Sequence, residues 1–162
     1  MLRVLFICTG NSARSILAEA TLNHVHGQQG FHAMSAGSHP TGTVNPLAIE
    51  VLESHHISTD GLRSKNWDEF AVDTVNSIDF VFTVCDNAAG EVCPVWPGHP
   101  ITAHWGVPDP ASVPGSLEAR RNAFQQAFTT LKRRIDLFCA LPIDKLSRMS
   151  LQEQLNQIGR EQ

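Results

Sequence analysis

Val4-Leu5-Phe6-Ile7-Cys8-Thr9-Gly10-Asn11-Ser12-Ala13-Arg14-Ser15 is the stretch that decides the fold. It begins as an apolar, β-branched run, the pattern of a buried strand. The run breaks at Cys8, passes through Gly10 and Asn11, and enters a helical pattern near Arg14. A strand that ends in a small-residue loop and opens a helix is an anion cradle: backbone N–H groups point into the loop and the helix N-terminus adds partial positive charge. Arg14 offers a planar fork suited to a tetrahedral oxyanion. Cys8, at the lip of the cradle, is expected to have a depressed pKa and to be largely thiolate, the nucleophilic form. Ser15 is placed to donate to that thiolate or to a leaving group.

Outward from this stretch, strand and helix signals alternate. Ile16, Leu17, Ala20, Leu22 and Val25 predict a helix packed on a sheet and stopped by Gly27. Phe31 to Ser35 reads as a second strand, with Ala36-Gly37-Ser38 as a turn beside the loop. Asn45-Pro46 is a helix start, an N-cap followed by proline at the first helical position. His55 and His56 end that helix and read as a surface pair. Trp67 and Phe70 anchor a short helix in a polar stretch. Ile78 to Val84 is a third strand, and Cys85 ends it. In an open parallel sheet chemistry collects at the carboxyl ends of strands, so Cys8 and Cys85 can face one crevice.

Cys93 follows eight residues after Cys85, in a short segment closed by Pro94. Three readings of this pair stand: two inert thiols, a zinc site completed by His99 or His104, and a redox shuttle. Zinc is the weakest, because the spacing matches no Cys-x2-Cys pattern. Ile101 to Trp105 predicts a fourth strand. Asp109, between Pro108 and Pro110, is then held in an extended segment, as a turn-forming residue or as a general acid. Leu117, Phe124, Phe128, Leu131, Ile135 and Phe138 recur at helical spacing over 116–139, with Cys139 as a core thiol. Pro142 breaks that helix, and Ile143, Leu146, Met149, Leu151, Leu155 and Ile158 predict one more.

The 162 residues suffice for one domain with a real core, and 42% are hydrophobic. Two parts are expected: residues 1–139 as the main body and 140–162 as a helical extension of the same domain. A net charge of -4 without a basic stripe argues against nucleic acid as the main partner. No apolar run has membrane-spanning length, and residues 1–7 read as a core strand rather than a leader. A cytoplasmic location is the expectation, and four cysteines there point to catalysis or metal rather than a permanent disulfide framework.

The Cys8–Ser15 stretch resembles the phosphate loop of the low-molecular-weight tyrosine phosphatase fold, and its wording is similar to the thioredoxin-coupled arsenate reductase branch. Ser35-Ala36-Gly37, the cysteines of 85–93, and His104-Trp105-Gly106 with Asp109-Pro110 match as well, so the resemblance covers residues 2 to about 138. It implies a three-layer α/β sandwich on a four-stranded parallel sheet, flavodoxin-like in topology. It implies oxyanion binding by Thr9, Gly10, Asn11, Ser12, Ala13, Arg14 and Ser15, with Asp109 as the acid. In the family the glutamate matching Glu19 braces the loop, in some members around a potassium ion with an acidic residue where this chain has Lys65.

For function the resemblance implies arsenate reduction without a bound cofactor or metal. Cys8 would attack arsenic, Cys85 would attack Cys8, and Cys93 would draw the disulfide outward. An external dithiol, thioredoxin or glutaredoxin with glutathione, would then reduce it. A phosphomonoesterase using Cys8, Arg14 and Asp109 is the first alternative, although the tyrosines that shape a phosphotyrosine slot are absent: Ala111-Ser112 follows Pro110, and the chain has no tyrosine. A non-enzymatic thiol redox sensor is the second.

Overall fold

The computed structural model describes residues 1–71, 77–85, 96 and 98–160. Four parallel strands form one sheet in the order β2-β1-β3-β4, where β1 is Leu2–Cys8, β2 is Phe31–Gly37, β3 is Phe80–Thr83 and β4 is Ile101–His104. Strand order reverses at β1, so the carboxyl ends of β1 and β3 lie side by side at the switch point, where open α/β sheets take their ligands. The helices are α1 (Arg14–His26), α2 (Pro46–Ser54), α3 (Asp68–Ala71), α4 (Leu117–Cys139) and α5 (Arg148–Arg160). The expected α/β architecture, a parallel four-stranded sheet flanked by helices, is the observed one.

Strand alternation sends Phe6, Phe80 and Phe82 to one face. There Phe138 of α4 meets Phe80 and Phe82 edge-on, with ring centroids 5.0 and 5.2 Å away, and Trp105 stacks on Phe82 at 3.8 Å. Leu5, Ile7 and Val81 point to the other face and are equally buried. Both faces are therefore covered, which is why the strands read as continuous apolar runs. The outer edge of β2 is blocked by a side chain: the Asn23 amide donates to Ala33 O and accepts from Ala33 N at 3.0 and 2.8 Å, as a further strand would.

Several local expectations are corrected. Ala36 and Gly37 belong to β2 rather than to a turn, because they pair with Ile7 and Cys8 and Gly37 bridges to Asn66. Val25 and Leu117 are 37% and 46% exposed, since each sits in a terminal turn that overhangs the packed face. His55 and His56 are both exposed, as expected of a surface pair, and the His55 ring also stacks on Phe128 with centroids 4.2 Å apart and bonds Gln125.

The C-terminal segment packs against the sheet. Leu151, Leu155 and Ile158 are buried, Gln152 donates to Thr102 O, and Leu155 O accepts from the Trp105 indole at 3.0 Å. Gly159 is the closest approach. A Cβ there would run into His104 O and come within 2.8 Å of Trp105 Cδ1. No helix among the described residues is long and apolar enough to cross a membrane.

Candidate active site

The loop between β1 and α1 is held from outside by its own carbonyls. Thr9 O accepts from His39 N, Gly10 O from Thr41 N and Ser64 Oγ, and Ser12 O from Asn45 N, at 2.8 to 3.2 Å. Turning these carbonyls outward leaves the peptide N–H groups on the inner side, and the Gly10 N–H bonds Cys8 sulphur. Ala13, before the first residue of α1, supplies no side-chain cap. The first N–H groups of that helix are therefore available to an anion.

Asn11 fixes the turn. It is buried and sits at φ 45°, the left-handed region that asparagine tolerates better than most residues. Its amide nitrogen donates to Ser15 Oγ at 2.8 Å and Ser35 Oγ at 2.9 Å, and its oxygen accepts from Lys65 N at 2.9 Å. Gly37 lies directly beneath. A Cβ there would run into Thr9 O and come within 2.9 Å of Cys8 O, so only glycine lets the loop pass this close. Glu19, Ser35 and Lys65 complete the support. Ser35 Oγ donates to Glu19 at 2.6 Å, and Lys65 Nζ lies 3.5 Å from the same carboxylate oxygen. Burial pushes Lys65 down from the ordinary lysine value, against the pull of Glu19. These residues do not fit a potassium ion: a buried ammonium faces Glu19 and Ser35 where a second carboxylate would be needed.

Cys8 and Cys85 are both buried free thiols at adjacent strand ends. They share a hydrogen bond, and Thr9 Oγ1 lies 3.5 Å from Cys85 Sγ. This contact corrects the expected depressed pKa of Cys8. The bond with Cys85 and then burial raise it, while Arg14 and the Gly10 N–H pull it down. A second thiol against the first opposes a full negative charge on both sulphurs. That neighbour, from 77 positions further along the chain, was invisible in the loop itself.

Arg14 and Asp109 meet across the crevice. Arg14 donates to Val107 O at 2.8 Å, its second terminal nitrogen is 3.9 Å from Asp109 Oδ2, and its Nε is buried with no hydrogen-bond partner among the described residues. A buried unpaired guanidine N–H is costly and is the kind of donor an oxyanion would satisfy. Asp109 accepts from Ala111 N at 3.0 Å and Ser112 Oγ at 2.7 Å. The turn-forming reading of Asp109 is the observed one, and the turn aims the carboxyl at the arginine. The structure thus gathers Cys8, the loop 9–15, Arg14, Cys85 and Asp109. Cys93 lies outside the described residues.

Three contributors escaped the sequence reading: the Asn11 latch, the Thr9–Cys85 contact and the Arg134 side chain, which bonds Trp105 O and Gly106 O. Arg134 alone left a usable signal, a charged residue on the buried stripe between Leu131 and Phe138.

An oxyanion loop joining the first strand to the first helix of a parallel sheet, with a cysteine at its lip, defines a class of cysteine-centred oxyanion-binding α/β proteins. Within it, the chain belongs to the low molecular weight phosphotyrosine protein phosphatase family, whose model matches residues 3–154. That match extends past residue 138 into α5. The chain is 36% identical over 135 residues to an arsenate reductase of Shouchella clausii, covering 83% of this chain and 93% of that one. A solved arsenate reductase in a phosphate-binding state superposes with a TM-score of 0.70 at 28% identity, covering 86% of this chain and 98% of the other. A thioredoxin-dependent arsenate reductase of Corynebacterium glutamicum superposes with a TM-score of 0.56 at 25% identity, covering 85% and 63%.

Proposed function

We propose that this protein is an arsenate reductase that works through Cys8, Cys85 and Cys93 and is regenerated by an external dithiol. The observation that carries the reading is the contact between the buried Cys8 and Cys85 thiols beside the oxyanion loop. A phosphatase would use Cys8, Arg14 and Asp109 but has no need of that second sulphur.

Loop N–H groups and Arg14 bind arsenate. Cys8 gives its proton to the entering arsenate and, as thiolate, attacks arsenic; the bond from arsenic to one hydroxyl breaks, and Asp109 protonates that oxygen so that it leaves as water. Arg14 and the loop carry the negative charge throughout. Cys85 thiolate, accepting from the Thr9 hydroxyl, then attacks Cys8 sulphur. The sulphur–arsenic bond breaks with its electron pair going to arsenic, so As(V) becomes As(III) and leaves as arsenite. The two thiols are oxidised to a Cys8–Cys85 disulfide. Cys93 thiolate next attacks Cys85, freeing Cys8 and forming a Cys85–Cys93 disulfide. Thioredoxin, or glutaredoxin with glutathione, reduces that bond by thiol exchange. A cytoplasmic location, where such reductants are plentiful, belongs to the same reading.

The test is arsenate-dependent oxidation of reduced thioredoxin, with a glutaredoxin and glutathione arm alongside. Continuous turnover in either supports the reading. No arsenate-dependent oxidation in either arm, with release of phosphate from aryl esters, would move the chain to the phosphatase alternative.

A further inference from the structure

Asp109 is delivered by the strap that leaves β4, residues 105–110. One side of the strap is sewn to β3: Trp105 N donates to Thr83 O at 2.7 Å and Val107 N to Val84 O at 3.0 Å. The carbonyls point the other way and are taken by arginines. Val107 O accepts from Arg14, while Trp105 O and Gly106 O both accept from Arg134 Nη1, at 2.9 and 3.0 Å. Pro108 and Pro110 have no N–H with which to add further ties.

Packing holds the base of the strap through the buried Trp105 and Val107 but leaves a gap beside its far half. Between it and α4 lies a cleft of about 310 Å³, lined by Val107, Pro108 and Pro110 on one side and Ala123, Ala127 and Thr130 on the other. Across that gap the two bonds from Arg134 reach the base of the strap. The arginine is 4% exposed, and burial pushes its pKa down. Burying a guanidinium costs several kcal/mol, whereas a leucine or methionine would continue the apolar stripe of α4 without that cost. The two carbonyls are among what the arginine gains.

We propose that Arg134 is a positioning residue for the general acid: by pinning Trp105 O and Gly106 O it sets the direction in which the strap leaves the sheet, and so the placement of Asp109 against Arg14. The same pin acts, through Val107 N and Val84 O, on the backbone that precedes Cys85. This inference rests on the reading of Asp109 as the acid in the proposed reaction.

The experiment compares Arg134→Met and Arg134→Lys, each alone and combined with Asp109→Asn. kcat and KM are measured for arsenate reduction and, in parallel, for hydrolysis of p-nitrophenyl phosphate. Folded fraction is followed by circular dichroism. Misplacement of a reacting group by about 1 Å can cost on the order of 10²-fold. Arg134→Met is expected to lower kcat by about 10- to 100-fold with KM unchanged. Arg134→Lys, able to reach one carbonyl, recovers part of that loss and serves as the deciding variant if Arg134→Met folds poorly. In the Asp109→Asn background neither Arg134 substitution should cost anything further, because the group being positioned is gone. Equal fractional losses in both backgrounds, or a loss that tracks the folded fraction, would overturn the proposal and leave the arsenate reading standing. A wild-type chain that hydrolyses the ester but reduces no arsenate would refute the arsenate reading, and the ester data would then decide Arg134. A wild-type chain active on neither substrate overturns both.

Discussion

Three strand ends carry the proposed chemistry, and two of them, after β1 and after β4, are built in different ways. The loop after β1 is held through its own backbone: outward carbonyls take bonds from residues 39, 41, 45 and 64, and Asn11 is latched from inside. The strap after β4 contains two prolines and is held by side chains from distant elements, Arg14 of α1 and Arg134 of α4. A loop fixed by its backbone presents its N–H groups permanently and suits the binding of an anion that arrives ready-made. A strap whose N–H groups are tied to β3 and whose carbonyls are held by two guanidinium groups depends on side chains from distant elements, and its product is the position of one carboxyl. On the proposed reading the first region binds the anion and the second delivers the proton, and substitutions should separate them.

The largest effect should come from the loop's cysteine. Cys8→Ser is expected to show no arsenate reduction in a thioredoxin-coupled assay, because a serine hydroxyl stays protonated and weakly nucleophilic there. Measurable turnover would take Cys8 out of the nucleophile role. Asp109→Asn addresses the strap. It should lower kcat by about 10²–10⁴-fold while arsenate or phosphate affinity, read by calorimetry, stays near wild type. A parallel loss of affinity would mean that the strap helps to hold the anion and that the division drawn here is wrong.

Gly37→Ala probes the loop without touching a polar group. The added methyl must push Thr9 and Cys8 carbonyls upward, so the N–H groups lose their common focus. Oxyanion affinity should fall about 10-fold, equivalent to about 1.4 kcal/mol. Unchanged affinity would show that the loop relaxes freely, against the rigid-cradle account. The smallest effect on chemistry should come from Gly159→Ala. The methyl would meet His104 O and Trp105, lifting α5 from β4. Overpacking of this kind costs about 1–3 kcal/mol, more than the better helix propensity of alanine returns, at about 1 kcal/mol. Denaturant midpoints should drop, while kcat in the folded range changes little. A large kcat loss would tie α5 to the strap through the Trp105–Leu155 bond.

The contrast between the regions also explains what the sequence discloses. The loop is contiguous, so strand, small residues and arginine appear together between Val4 and Ser15, and the parallel sheet follows from the alternation of strand and helix signals. Cys85 could be placed near Cys8 because both end β-branched runs. The contact between the two sulphurs, and the raised Cys8 pKa it brings, depends on the pairing of β1 with β3 and is absent from either segment alone. Arg134 reads as half of an Arg133-Arg134 pair on a helix, a pattern normally solvated. Only its position on the buried stripe sets it apart. Ala36 and Gly37 look like a turn until β2 is seen to pair with β1 as far as Cys8.

The central claim is that Cys8 and Cys85 supply the two electrons and that Cys93 serves only to clear the disulfide. Single-turnover arsenite release from pre-reduced Cys93→Ser and Cys85→Ser, with peptide mapping of the disulfide formed, tests it most directly. One equivalent of arsenite is expected from Cys93→Ser, with Cys8 linked to Cys85 and then a stall, and no appreciable release from Cys85→Ser. Sustained multiple turnover by both variants would contradict it.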